Sequence, residues 1–316
     1  MSAGVQPATT RFAPTPSQLV IAYSVCRSIT RAAARNFYYA FLVLPRSKRE
    51  ALCAVYAFMR RCDDIADDPT VPVCDRRTRL ADWLDRLHHA IEGMPSDDPV
   101  LLALCHAQRH YRIPIDLLDQ LAAGTAMDLE FEGEEEDEPG FARCAPVVRY
   151  RTFDDLSQYC YRVASVVGLV CIKIFGYRDP GAEVLAERCG LAFQLTNIIR
   201  DVKEDAAMGR VYLPLADMNQ FGVTIDDISP RANLKRLQPL LAREAERARE
   251  FYRSGAELLP LVNEDSQAAL WVLITIYRRL LEKIAAQGYN VFGEKINLTV
   301  REKFSVLAQG FVKRLT

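Results

Sequence analysis

The stretch Gln194-Leu-Thr-Asn-Ile-Ile-Arg-Asp-Val-Lys-Glu-Asp205 decides how this chain is read. Leu195, Ile198, Ile199 and Val202 recur at helical spacing, whereas Gln194, Asn197, Asp201 and Asp205 fall at i, i+3, i+7 and i+11 and share one face. A polar stripe on an otherwise apolar helix must face a hydrated cavity or be satisfied by ions, because a buried unpaired carboxylate is costly. Nearer the N-terminus the device recurs: Tyr56, Arg60, Asp63 and Asp67 stand at i, i+4, i+7 and i+11. Asp63 and Asp67 lie one turn apart, about 6 Å along the axis, where like charges repel by about a few tenths of a kcal/mol. A divalent cation bridging the two reverses that sign. Every donor in the two sets is a hard oxygen, suited to Mg²⁺, which keeps water and completes its shell with a few carboxylates and substrate phosphates. The implied substrate is a phosphate ester. With no Walker-type loop in the chain, a nucleotide is not the default. One D-x-x-x-D pair arises on surface helices by chance; two, each with polar companions on the same face, are a stronger signal.

Around these motifs the helical period dominates, and strand alternation is nearly absent. The class is all-α. Ser47-Lys-Arg-Glu50 reads as a capping box opening a helix to about residue 68, ended by Pro69 and Pro72. Helices follow at about 75–93, 98–112, 114–129, 152–176 with Thr152 as cap, 181–207, 230–259 and 265–287, and Thr299 to Glu302 caps the last. In the 152–176 helix, Tyr159, Val163, Val166 and Val170 form a stripe beside Ala164, Ser165 and Gly168. The small residues make room either for an apolar chain or for close helix packing. Phe37, Phe41, Phe58 and Phe193 are candidates to line an apolar tunnel, although aromatics at helical spacing often belong to plain core. Residues 128–138, with eight acidic side chains, read as a solvated loop.

Composition narrows the field. With 316 residues, half of them hydrophobic, the chain can bury a large core. A net charge of −1 with scattered Lys and Arg argues against a nucleic-acid partner. Nine cysteines without a CxxC pair argue against a zinc ribbon and read as buried free thiols in a reducing cytosol. Residues 1–16 have no apolar core of a secretory signal and read as a disordered leader to a single domain over 17–316. No 18-residue apolar stretch is expected; Ala268 to Tyr277 is the best and is too short to span a bilayer.

Three segments together carry a resemblance to a known family. Tyr56 to Asp67, Tyr159-Cys-Tyr-Arg-Val-Ala-Ser-Val-Val-Gly168 and Gln194 to Asp205 look like the squalene/phytoene synthase family, and Gly209-Arg-Val-Tyr-Leu-Pro214 is similar to its segment after the second motif. The likeness runs in order from about residue 17 to the C-terminus. It implies a single-domain helical isoprenoid synthase bundle with a central cavity, and head-to-head (1′-1) condensation of two identical prenyl diphosphates. It further implies that Asp63 and Asp67 hold Mg²⁺ on one diphosphate, and Asn197, Asp201 and Asp205 on the other. Arg60, Arg210 and Tyr212 are implied to contact diphosphate oxygens, with Gln194 beside them on the second motif. Tyr56 and Tyr159 are implied to sit near the reacting carbons. Phe37, Phe41, Val163, Gly168 and Tyr277 complete the implied substrate-binding set. Where many members carry a Ser-x-Ser-Phe-like stretch, this chain has Ala34-Arg-Asn-Phe37, which lacks the hydroxyls.

For chain length, bulk at Phe41 and the likeness of Asn36-Phe-Tyr-Tyr-Ala-Phe41 to the presqualene-diphosphate branch favour two farnesyl diphosphates, giving presqualene diphosphate or squalene. The alternative is phytoene from two geranylgeranyl diphosphates. NADPH is expected only if squalene is the final product. A terpene cyclase or chain-elongating prenyltransferase would use a tighter D-D-x-x-D motif, and a non-catalytic scaffold relative would lose motif aspartates. The expected location is the cytoplasm with peripheral contact on the inner membrane surface, through aromatic and basic residues near the cavity mouth, since so apolar a product partitions into lipid. Downstream isoprenoid enzymes are a further expected class of partner.

Overall fold

The computed structural model describes residues 13–33, 37–133, 147–228 and 234–315. Thirteen α-helices follow one another among them: α1 (Pro16–Ala33), α2 (Phe37–Phe41), α3 (Arg46–Ala66), α4 (Val73–Glu92), α5 (Pro99–Tyr111), α6 (Ile115–Gly133), α7 (Phe153–Cys160), α8 (Val166–Phe175), α9 (Gly181–Ala207), α10 (Leu215–Phe221), α11 (Leu234–Leu258), α12 (Glu264–Ala286) and α13 (Val300–Leu315). The all-α expectation holds. The one sheet among the described residues is a two-residue parallel clip, β1 (Val147–Val148) on β2 (Arg210–Val211).

Local chemistry sets most boundaries. α4 stops at Gly93, whose φ of 101° is open to glycine at little cost. Asp98 caps α5 by accepting from the Val100 and Leu101 amides, with Pro99 at the first helical position. Thr152, the predicted cap, forms a reciprocal box with Asp155 on α7, and Thr299 and Glu302 form another on α13. The predicted box at Ser47 does not form. α3 begins a residue earlier, at Arg46 after Pro45, with no side-chain cap. Glu50 is instead taken by Arg27 of α1 and by Arg46.

Between α7 and α8 the predicted 152–176 helix contains a π turn, Tyr161–Ser165, where the Val166 amide bonds to the Tyr161 carbonyl. One extra residue per turn re-aims the side chains that follow, a device common at functional sites. Helix α6 continues to Gly133, so the start of the acidic run is helical rather than loop; residues 134–138 lie outside the described set. The expected leader falls mostly on residues 1–12, also outside it.

Helix α9 runs through the centre, packed by α11, α8, α12 and the π turn. It buries Leu195, Ile198, Ile199 and Val202, each side chain contributing about 1.5–3 kcal/mol. On the other side α3 packs against α1, α4, α5, α6 and α8. The run 153–175 corrects one expectation. It is long and apolar enough, by length and composition, to cross a bilayer, but 56% of its most apolar window is buried inside the bundle, as for the core helix of a globular protein. All described cysteines are free, and all but Cys74 are buried.

Candidate active site

Helices α3, α8, α9 and α12 enclose a cavity of about 950 Å³, including its open mouth. Of the residues singled out in the sequence, Phe37, Phe41, Tyr56, Val163, Ala164, Gly168, Phe193, Gln194, Asn197 and Tyr277 line it. Most of the remaining wall is aliphatic, from Leu52 and Val55 on α3 to Leu270 and Leu273 on α12. Sequence reasoning had no means to separate these from ordinary core. Phe58 does not belong to the wall: it is fully buried and stacks on Trp83 at 6.1 Å. Val166 and Val170 are likewise closed core. The small residues serve both purposes considered for them. A Cβ on Gly168 would stand 2.8 Å from the Ala186 carbonyl oxygen, and one on Gly190 only 2.6 Å from that of Ala164. Close backbone approach of α9 to α8 and to the π turn therefore requires glycine at both positions.

Aromatic rings run along one wall. Phe37 lies 6.4 Å from Phe41 and 5.8 Å from Tyr277, and Tyr277 stacks on Phe193 at 4.5 Å. Such ring faces attract a cation held over them. Tyr56 stands where the cavity meets a second, polar basin that shares Phe37, Tyr56, Asn197 and Tyr277 and adds Arg31, Arg200, Lys295 and Lys303.

The two acidic helices are electrostatically unlike. On α3, burial and the neighbouring charge of Asp67 push the Asp63 carboxyl up from 3.8 to about 6, and the Thr125 hydroxyl donates to it only at 3.4 Å. Arg60 is drawn to Asp64 at 2.6 Å. On α9, burial works to raise Asp201, but Arg200 and Lys295 outweigh it and hold the carboxyl below its ordinary range. The Arg200 Nε donates to Asp201 Oδ1 at 2.8 Å, and Lys295 Nζ lies 2.6 Å from the same oxygen. Two acceptors nearby, Asn197 Oδ1 and Glu204 Oε2, are buried with no hydrogen-bond partner. An orphaned buried acceptor is costly, and a cation supplies what these lack. The carboxyl of Asp63, destabilised by Asp67, asks for the same. The donor set therefore fits a hard divalent ion. Among the described residues no three acidic, His or Cys side chains converge on one point, so any such ion would need further ligands from water or a bound anion.

The remaining predicted residues form a separate group. Asp205, Arg210 and Tyr212 line a small cleft beside Ile198 and Val202. Tyr212 and Tyr159 are buried and stack at 5.0 Å, with Tyr150 at 6.2 and 5.3 Å from them. Tyr159 thus packs with the tyrosines that flank the β1–β2 clip and is not part of the cavity lining. Residues 34–36, where the missing hydroxyls were noted, lie outside the described set. Sequence reasoning overlooked Arg200, Lys295 and Glu204. Arg200 was detectable, because it follows Asn197 by three positions on the motif helix. Lys295 sits in an irregular segment and gave no periodic signal.

Comparison with known proteins agrees with this geometry. The squalene/phytoene synthase family profile matches residues 30–302. A phytoene synthase of Mycobacterium tuberculosis is 38% identical over 299 residues, covering 93% of this chain and 92% of that protein. One of Arthrospira platensis is 32% identical over 93% of each. Among solved structures, a dehydrosqualene synthase in complex with ligand superposes with a TM-score of 0.79 at 31% identity, over 93% of this chain and 96% of that one. The squalene synthase HpnC from Alicyclobacillus acidocaldarius gives 0.75 at 29%, over 87% and 97%. With the profile spanning most of its length, the chain belongs to the squalene/phytoene synthase family of head-to-head prenyltransferases.

Proposed function

We propose that this enzyme condenses two geranylgeranyl diphosphates to phytoene with Mg²⁺. The observation that supports the chemistry is the meeting of an apolar, ring-lined cavity with a polar basin at Tyr56 and Asn197, between the two acidic helices. Asp63 and Asp67 would hold Mg²⁺ on one diphosphate; Asn197 and Asp201 would hold it on the other, with Asp205 one turn further along α9 in the neighbouring cleft. Bound there, the ion supplies electrostatic stabilisation of a departing diphosphate. Arg200 and Lys295 already concentrate positive charge at Asp201 and can turn to phosphate oxygens, where a guanidinium makes forked contacts. The largely apolar wall disfavours water, and Phe37, Phe193 and Tyr277 present ring faces to positive charge developing on an allylic carbon. The C20 assignment draws on the phytoene synthases at 38% and 32% identity, covering more than nine-tenths of the chain.

A second reading, presqualene diphosphate or squalene from two farnesyl diphosphates, is favoured by one feature. Phe41 is buried and forms part of the cavity wall, where bulk shortens the space for a chain. NADPH enters only if squalene is the final product. Incubation of the purified protein with Mg²⁺ and either substrate, with and without NADPH, separates the readings by the mass of the lipid formed. Phytoene from the C20 substrate is expected; C30 product alone would reassign the enzyme to the second reading.

A further inference from the structure

A second cavity lies apart from the catalytic basins and shares no lining residue with them. It opens between the end of α4 and the helix α5, with a volume of about 740 Å³ including its mouth. Its chemistry comes from α5. Of the four histidines in the chain, His106 and His110 stand at i and i+4, and both line this cavity. That spacing puts two imidazoles on one helix face, as in the H-E-x-x-H pattern that chelates a transition metal. Their ring centres are 6.3 Å apart, with planes 8° from parallel. Two imidazoles on one tetrahedral ion, at about 2.0–2.1 Å per nitrogen, have ring centres about 5 Å apart. Both residues are exposed, so side-chain rotation closes a difference of about 1 Å. The Tyr23 hydroxyl, from α1, lies 2.8 Å from His106 Nδ1, which leaves Nε2 for the cavity. A metal-bound imidazole ordinarily has its other nitrogen held in this way. Partial burial, then the neighbouring His110 and Arg109, hold the His106 pKa below its ordinary value, so the ring is neutral at pH 7. Arg109, the cationic residue of the wall, is drawn to the Ala90 and Ile91 carbonyls at 3.3 and 3.1 Å. Cys105 also lines the cavity, but burial pushes its thiol up to about 11 and it stays protonated.

We infer that His106 and His110 bind a borderline divalent transition ion, of the Zn²⁺, Ni²⁺ or Cu²⁺ kind, at a site separate from the Mg²⁺ centre. Imidazole nitrogens suit such ions, whereas the catalytic carboxylates suit Mg²⁺, so the two sites sort metals by donor type. Among the described residues no third His, Cys or acidic side chain converges here, so water completes the shell and the ion exchanges with solvent. Bound there, it links successive turns of α5 and fixes the His106–Tyr23 contact that ties α5 to α1. Its effect is to stabilise the fold by mass action, because the unfolded chain does not hold the two rings together. No prenyl diphosphate takes part, and the proposed function can fail without touching this site.

Untagged full-length protein, with Mg²⁺ in excess to occupy the catalytic aspartates, provides the test. Cu²⁺ at the site should give an electron paramagnetic resonance spectrum split by two imidazole nitrogens, and Zn²⁺ should raise the melting temperature. His110→Gln should weaken Zn²⁺ binding in a calorimetric titration by at least about tenfold, since the second nitrogen binds intramolecularly, and should leave the melting temperature of the metal-free protein unchanged. Tyr23→Phe should weaken it by about tenfold, through the lost hold on His106. Replacing the other two histidines, His88→Gln with His89→Gln, should change neither the spectrum nor the affinity. A Cu²⁺ spectrum from oxygen ligands alone, or equal Zn²⁺ affinity in the wild type and His110→Gln, would overturn the proposal. So would binding that disappears in the His88→Gln/His89→Gln variant and persists in His110→Gln. Absence of condensation activity with Zn²⁺ binding intact would count against the proposed function alone.

Discussion

Replacing Asp63 by Asn should make the metal-free protein more stable while removing its activity. The Asp63 carboxyl is moved from 3.8 to about 6 by burial and by Asp67. A difference of that size corresponds to about 3 kcal/mol against the ionised form, an upper figure. The direction follows from linkage. Below about pH 4 the group is protonated in both the folded and unfolded chain and contributes nothing. As pH rises toward 6 the unfolded chain ionises first, so the folded state is progressively penalised, and the penalty is complete above 6. Asn keeps the shape and cannot ionise. At pH 7.5 in EDTA, Asp63→Asn should therefore gain about 1–3 kcal/mol, raising the midpoint by about 1.5–4.5 °C, and the gain should shrink at pH 4.5. Mg²⁺ should reverse the ranking by stabilising only the chain that binds it well. Differential scanning calorimetry at both pH values, with and without Mg²⁺, measures all four quantities. A melting point for the variant equal to or below wild type at pH 7.5, with no dependence on pH, would refute the electrostatic reasoning.

Gly190→Ala should destabilise by about 1–3 kcal/mol, because its Cβ would meet the Ala164 and Ser165 backbone under 3 Å away; Gly293→Ala, with open space around it, should shift the melting point by under about 1 °C. Arg247→Ala should cost about 3–5 kcal/mol in urea unfolding, since it leaves Asp217 and the buried Glu244 without their shared cation. Glu244 is pushed up to about 7 mainly by burial, so Glu244→Gln should recover part of that loss above pH 7 and little at pH 5. Phe41→Ala should raise the ratio of C20 to C15 turnover in a competition assay; an unchanged ratio would remove Phe41 from chain-length control.

The sequence resolved what depends on period and left open what depends on assembly. The boundaries of α9 match the predicted 181–207 because its apolar run is long and unambiguous. Ser47 misled because a capping-box pattern competes with Pro45, which starts the helix a residue sooner and frees Glu50 for Arg27. The π turn left no trace in the pattern, since one inserted residue is lost among several overlapping apolar stripes. Asp63, Asp67, Asn197 and Asp201 were legible as same-face polar sets on apolar helices. The difference in charge between the two sets was not, because Lys295 reaches Asp201 from 94 positions away in the chain. Chain length was the least legible property: Phe41 points to C15, and the relatives at 38% identity point to C20.

The π turn at Tyr161–Ser165 also limits how this gene can change. An α-helix advances about 100° per residue, so a deletion that converted this turn to α would rotate Tyr159 by about that angle relative to Gly168 and everything after it. The buried tyrosine stack and the cavity wall would no longer face their partners together. A substitution within 161–165 alters one side chain of the wall or its packing, whereas a change of length there moves two parts of the site at once. Insertions and deletions should thus be tolerated in the loops around this helix and excluded from its middle.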